Sequence, residues 1–160
     1  MFDEILKNID FLLPKDKDGN FKTEEEKSDV VHDFLAYLAK QMIEMNKEKN
    51  KEIKGFLEWL EGTIKIKIEN LSGKTKLREY YKHDFDEIRR VFEKNKKLFE
   101  FDPKRREFLE LVKDEFDKSI LKLKPLLERI KATDNLIDQI VYKLYGLTDD
   151  EIRIVEESLQ

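Results

Sequence analysis

Residues 30–61 read VVHDFLAYLAKQMIEMNKEKNKEIKGFLEWLE, with apolar side chains at intervals of three and four. This spacing places the apolar side chains on one face of an α-helix and differs from the alternation of a strand. Thr23 and Glu26 have the pattern of a capping box, so we expect the helix to begin at Thr23 and run toward Glu61. The wholly polar residues 46–52 leave open whether the helix is continuous. The apolar positions are Val31, Phe34, Leu35, Leu38, Met42, Met45, Ile53, Phe56, Leu57 and Leu60.

Helical spacing also governs the segments on either side. Residues 1–13 form one apolar face, which Pro14 ends. Asp84 is placed to cap a helix that contains Phe85 and Phe92. Further on, Asp102 and Pro103 have the pattern of an N-cap followed by a first helical residue.

The C-terminal third predicts two helices separated by a glycine. Pro125 should break or kink the helix that begins near Asp102, because proline removes a helical hydrogen bond. Gly146 fits the position where a left-handed residue closes a helix. Thr148 and Glu151 then form a second capping box, which starts the last helix.

The predicted fold class is all-α. We expect an elongated helical bundle or hairpin with one long amphipathic helix and a C-terminal helix–Gly–helix. The stretch TIKIKI at residues 63–68 alternates with a period of two, so we allow one isolated short strand near residues 64–68, or an extended linker. Residues 1–22 are interpreted as a short helix and loop, and residues 23–160 as one helical domain whose C-terminal signature spans residues 133–158.

Composition excludes several classes of protein. The chain has no cysteine, which excludes disulfides, thiolate nucleophiles and cysteine-ligated metals. Five glycines and three prolines in 160 residues are few for a turn-rich β fold. The sequence has no apolar run of about 18 residues, as a transmembrane helix needs, and no basic N-terminal signal region, so we expect a cytoplasmic protein without membrane contact.

The net charge of −4 is unevenly distributed along the chain. Residues 63–106, the basic island, contain 14 basic and 8 acidic residues, and both ends of the chain are acidic. Such an island either contacts a nucleic-acid backbone or forms a solvated surface balanced by the protein's own carboxylates. Its aromatic residues either stack on bases or supply a core. The candidate contacts to the DNA backbone are Lys74, Lys76, Arg78, Arg105 and Arg106.

Motifs for catalysis or cofactor binding are weak in this sequence. It has no glycine-rich phosphate loop and no N-P-P motif, so we assign no catalytic residue, cofactor or metal. Its two histidines lie in His–Asp pairs, and His32, His83, Asp84 and Asp138 match the residue order of HD-type phosphohydrolases. A small metal-dependent phosphohydrolase is therefore one alternative, and a self-associating coiled-coil adaptor is another.

The C-terminal sequence resembles the tail of a known enzyme family. Residues 134–156 read DNLIDQIVYKLYGLTDDEIRIVE. They resemble the end of adenine-specific DNA methyltransferases of bifunctional type II restriction–modification enzymes and of related phage-defence methylases, most specifically in LYGLT followed by EIRIVE. Weaker similarity covers Phe34–Lys47, Phe56–Leu60 and Leu71–Tyr81, so the resemblance extends over most of residues 31–158.

The resemblance implies a non-catalytic role. In that family the catalytic domain precedes the helical tail, and its catalytic and cofactor residues have no counterparts in this sequence. The resemblance therefore implies a helical spacer or docking module, as a fragment, split subunit or remnant, whose partners are a methyltransferase or restriction polypeptide and double-stranded DNA. Candidate docking residues on two apolar helix faces are Phe34, Leu38, Met42, Val141, Tyr142 and Tyr145.

Overall fold

The computed structural model describes residues 2–22 and 26–158, and this part of the chain confirms the predicted all-α class. It contains no strand; a single isolated bridge pairs Lys15 with Phe21. None of its helices combines the length and apolar character needed to cross a membrane. The α-helices are α1 (Phe2–Leu12), α2 (Ser28–Ile64), α3 (Lys74–Arg78), α4 (Phe85–Lys94), α5 (Arg106–Leu144) and α6 (Asp149–Ser158), with 3₁₀ turns at Ile68–Asn70, Tyr80–Lys82 and Lys96–Leu98.

Helix α2 continues without interruption through the polar residues 46–52. The capping box predicted at Thr23 lies outside the described residues. The isolated strand allowed near residues 64–68 does not form in the described chain, because the helix extends to Ile64 and a left-handed residue, Lys65 (φ 58°), then turns the chain. Glu61 holds this turn through a hydrogen bond from the Ile68 N–H (2.9 Å) and an ion pair with Lys67 (2.7 Å).

Helix α5 differs from the prediction at its start and at its proline. Asp102 and Pro103 form a turn, in which the Arg105 N–H donates to the Asp102 carbonyl (3.0 Å), and the helix begins only at Arg106. Pro125 does not break the helix, which continues to Leu144. Pro125 and Leu121 are both exposed, so water can satisfy the Leu121 carbonyl that proline leaves without a donor.

The chain forms two compact units. The first unit comprises Met1–Glu44 and Arg129–Gln160, and the second comprises Met45–Glu128. Helices α2 and α5 each contribute one segment to each unit. The core of the first unit combines α1, the residue that follows it, and parts of α2 and α5. Its buried residues are Ile9, Leu13, Val31, Leu38, Leu136 and Ile140.

The second unit has a larger and more aromatic core. The ring of Tyr80 is fully buried, and its centroid lies 4.2 Å from that of Phe56. Its hydroxyl is 2.5 Å from the Ser119 hydroxyl, so the polar end of this side chain keeps a hydrogen-bond partner. Burial raises the pKa of Tyr80 to about 12, and the hydroxyl therefore stays neutral at physiological pH.

The junction between α5 and α6 has the predicted helix–Gly–helix structure. Gly146 is left-handed (φ 66°), and the Leu147 N–H donates to the Tyr142 carbonyl (3.0 Å), as in a Schellman motif. The capping box is also confirmed. The Thr148 N–H donates to Glu151 Oε2 (2.8 Å), and the Glu151 N–H donates to Thr148 Oγ1 (3.4 Å).

Candidate functional site

The predicted docking residues lie in the first unit, and five of the six are buried or half-buried. Leu38 (7% exposed) belongs to the core, and Phe34 packs against it. Tyr142 is buried, and Met42 and Val141 are half-buried. Of this set only Tyr145 is largely exposed, at 71% of its surface.

A different set of apolar residues is exposed in the first unit. Val31, Leu38 and Met45 recur every seven residues on α2 and are buried, whereas Val30 and Tyr37 lie one position earlier and face outward. The sequence already shows this one-residue offset, but the predicted docking residues did not include Val30 and Tyr37. Seven of the ten large apolar side chains that are exposed among the described residues belong to this unit, and we name them the exposed apolar set: Phe2, Phe11, Val30, Tyr37, Ile43, Tyr145 and Ile154.

The three α3 residues predicted to contact DNA are paired with carboxylates. Lys76 Nζ lies 2.5 Å from Glu87 Oε1, and Lys74 Nζ lies 3.4 Å from Glu69 Oε2. Arg78 also pairs with Glu69 and lowers the pKa of that carboxyl. These contacts support the alternative in which this part of the basic island is balanced by the protein's own acidic groups.

The ion pair between Lys76 and Glu87 predicts a measurable pKa. Lys76, and then His83 with its Nδ1 3.0 Å from Glu87 Oε2, lower the pKa of Glu87 from its ordinary 4.5 to about 2. Because the pKa is depressed in the folded state, the stabilisation is fully present above pH 4.5 and is lost as the pH falls toward 2. An NMR titration of the Glu87 carboxyl should give this value, and Lys76→Met should raise it. Lys82→Met is the control, since Lys82 pairs with Glu79; a Glu87 pKa near 4.5 in the unmodified protein would contradict the prediction.

The later part of the basic island has a different charge balance. Residues 89–106 contain eight basic and three acidic residues, a net charge of +5, whereas residues 63–88 contain six and five. In residues 89–106, Arg106 pairs with Glu110 (2.7 Å) and Arg89 with Glu93 (2.9 Å). Counting charge in shorter windows would have located this difference from the sequence. Four cations there are exposed and have no ion pair within the described chain: Arg90, Lys94, Lys97 and Arg105.

The aromatic residues of the basic island belong to the core. Tyr80, Phe92 and Phe99 are buried, and Tyr81 and Phe85 pack against the same cluster. Their rings are therefore not free to stack on nucleic-acid bases, and the core alternative is the one the structure supports.

The residues of the HD-type alternative do not form a metal site in the described chain. Asp84 caps α4, with the Glu87 N–H donating to its Oδ1 (2.9 Å) as the sequence predicted. His83 contacts Glu87, and His32 is exposed. Among residues 2–22 and 26–158, no group of three or more histidine, aspartate or glutamate residues is arranged to hold a metal ion.

A cavity of about 410 Å³ lies in the second unit between α2 and α5. Gly55, Trp59 and Leu121 contribute apolar lining, and the Lys122–Glu52 ion pair (3.2 Å) lies in its wall. Asp114 and then Glu115 raise the pKa of Lys118, which therefore stays protonated and does not serve as a base. The cavity has no nucleophile paired with a base among its lining residues.

Comparison with known proteins identifies one family. A family model described as "Domain of unknown function (DUF8810)" matches residues 25–141, which cover 117 of the 160 residues. No curated protein and no solved structure matches the chain. The matched range includes all of α2, α3 and α4 and most of α5. The chain therefore belongs to the DUF8810 family.

Proposed function

We propose that this chain is a non-catalytic helical docking module of a restriction–modification DNA methyltransferase. It packs against the catalytic and target-recognition parts of that enzyme and contacts the DNA backbone, in the cytoplasm. The observation that carries the proposal is the exposed apolar set, because large exposed apolar side chains concentrated in one part of a protein are typical of an interaction surface.

The position of this set in the sequence connects it with the family resemblance. Tyr145 and Ile154 both lie in the segment at residues 134–156 that resembles the methyltransferase tail. Other apolar residues of this segment, including Leu136 and Ile140, are buried in the first unit's own core. The segment therefore has two sets of apolar residues, one that holds the unit together and one that is available to a partner.

Purification from the native host tests the proposal. The tagged full chain should be isolated after nuclease treatment, and the co-eluting proteins identified by mass spectrometry. We expect an adenine-specific DNA methyltransferase polypeptide in near-equal amount. Replacing Tyr37, Tyr145 and Ile154 by serine should reduce its recovery at least about tenfold, since aromatic residues at the centre of an interface contribute strongly to affinity.

A matched variant controls for the loss of exposed apolar surface. Serine at Leu98, Leu111 and Leu121 removes three exposed apolar side chains from the second unit and should leave recovery unchanged. A chain that elutes alone, or as an oligomer of itself by light scattering, would contradict the proposal. Equal loss of the methyltransferase in both variants would contradict the assignment of the surface.

A further inference from the structure

Four phenylalanine rings form a rigid base beneath the later part of the basic island. Phe92 of α4 contacts Phe108 of α5, with ring centroids 5.5 Å apart. Phe99 and Phe101, from the segment between these helices, lie 6.2 Å and 4.9 Å from Phe108. All five pairs that include Phe99 or Phe108 meet close to edge-on, a favourable geometry for aromatic rings. The rings thus fix the end of α4, the connecting segment and the start of α5 relative to one another.

One ion pair links the same segment to α4, and a second lies within the segment. Lys104 Nζ lies 3.8 Å from Glu93 Oε2, and Lys96 Nζ lies 3.6 Å from Asp102 Oδ1. Arg90 is four residues before Lys94 and therefore shares a face of α4 with it. Lys97 follows in the 3₁₀ turn and Arg105 immediately precedes α5, so α4 and the segment that connects it to α5 contribute two cations each. We name Arg90, Lys94, Lys97 and Arg105 the unpaired basic surface.

We propose that the unpaired basic surface binds the phosphate backbone of duplex DNA. Its four cations have no carboxylate partner in the described chain, so they can neutralise phosphates without breaking an existing ion pair. Lys74, Lys76 and Arg78 would first have to leave Glu69 or Glu87. The proposal rests on the DNA contact in the proposed function, and it does not depend on the methyltransferase partner.

The surroundings of these cations favour a duplex over other polyanions. Single-stranded nucleic acids are held by exposed aromatic rings, whereas Phe92, Phe99 and Phe108 are buried here. Insertion into a membrane interface uses an apolar face beside the cations, and within residues 89–106 only Leu98 is a large exposed apolar side chain. A surface that offers cations but neither exposed rings nor an apolar face suits the phosphate backbone of a duplex. Contacts to phosphates depend on charge and do not require contact with the bases.

A salt titration of DNA binding tests the proposal. The full chain should be titrated onto a fluorescent 20-base-pair duplex at several salt concentrations between 50 and 200 mM. Four phosphate contacts predict that the affinity falls roughly 100-fold over this range. Replacing Arg90, Lys94, Lys97 and Arg105 by glutamine should make the affinity nearly independent of salt.

A second quadruple variant separates the surface from the overall charge. Glutamine at Lys67, Lys74, Lys76 and Arg78 changes the net charge by the same amount but removes ion-paired cations, and it should keep the salt dependence of the unmodified chain. Circular dichroism should show that both variants remain folded. Equal weakening by both variants, no binding to the duplex, or tighter binding to a single strand or to vesicles with 30% phosphatidylserine would overturn the proposal. None of these results decides the outcome of the co-purification experiment. DNA binding by the unpaired basic surface and docking to a methyltransferase can therefore be rejected independently.

Discussion

Replacing Phe92 by alanine should lower the free energy of unfolding of the second unit by about 3–5 kcal/mol. The Phe92 ring has no exposed surface, and it packs on Phe99 and Phe108 with centroids 6.0 Å and 5.5 Å apart. Alanine removes these contacts and leaves a cavity that a close-packed core fills only in part. Since domains are stable by only about 5–15 kcal/mol, this one change should remove a large fraction of the stability.

Urea unfolding followed by tryptophan fluorescence measures the effect of Phe92→Ala. The chain has one tryptophan, Trp59, and it lies in the second unit, so the signal reports on that unit. Leu121→Ala is the control, because Leu121 is 77% exposed and its removal should change the stability by less than about 0.5 kcal/mol. Similar losses for Phe92→Ala and Leu121→Ala would show that the four-phenylalanine base does not contribute as described.

Replacing Asn95 by alanine should lower the free energy of unfolding by about 2 kcal/mol. Asn95 is buried just beyond the end of α4, and its side-chain amide joins two backbone segments. Its Nδ2 donates to the carbonyls of Ser72 and Val91 (both 2.8 Å), and its Oδ1 accepts from the Ser72 N–H (2.9 Å). Alanine leaves these backbone groups without their partner, which costs more than the hydrogen bonds themselves contribute.

A second substitution at the same position tests whether these hydrogen bonds are the cause. Asn95→Asp keeps the acceptor for the Ser72 N–H but replaces the donor with oxygen facing two carbonyls, so it should also destabilise the unit. Asn70→Ala serves as the control, because Asn70 is exposed. The free energy of unfolding of each variant is measured by the same urea titration. An equal value for Asn95→Ala and Asn70→Ala would rule out the proposed role of the Asn95 hydrogen bonds.

Local patterns in the sequence predicted most of the helices. The spacing of apolar residues indicated α1, α2 and α4, and short-range signals such as Asp84, Gly146 and Thr148 marked helix ends. The errors also have local causes. Ile64 and Ile68 looked like the alternating residues of a strand, but they are four apart and both are buried in the helical core. Pro125 was expected to break or kink its helix, and of these two alternatives the break is excluded because α5 continues to Leu144.

The candidate surfaces were harder to predict because they depend on contacts between distant residues. Lys76 pairs with Glu87, eleven positions away, and Asn95 reaches Ser72 across 23 positions. A count of basic residues cannot show which of them a carboxylate neutralises. Similarly, apolar periodicity identified the faces of α2 and α5 but could not tell which residues would be used by the first unit's own core.

The division of the chain into units has a consequence for its synthesis on the ribosome. The second unit is one continuous segment of 84 residues, whereas the first unit combines the two ends of the chain. Val31 and Leu38 are therefore made well before Leu136 and Ile140, with which they share a core. Closing a flexible loop as long as the chain between Leu38 and Leu136 costs roughly 4 kcal/mol in chain entropy. Prior folding of the second unit, which lies within this loop, reduces that cost. The nascent protein should thus fold from its middle outward and complete its N-terminal core only after the second half of α5 has been translated.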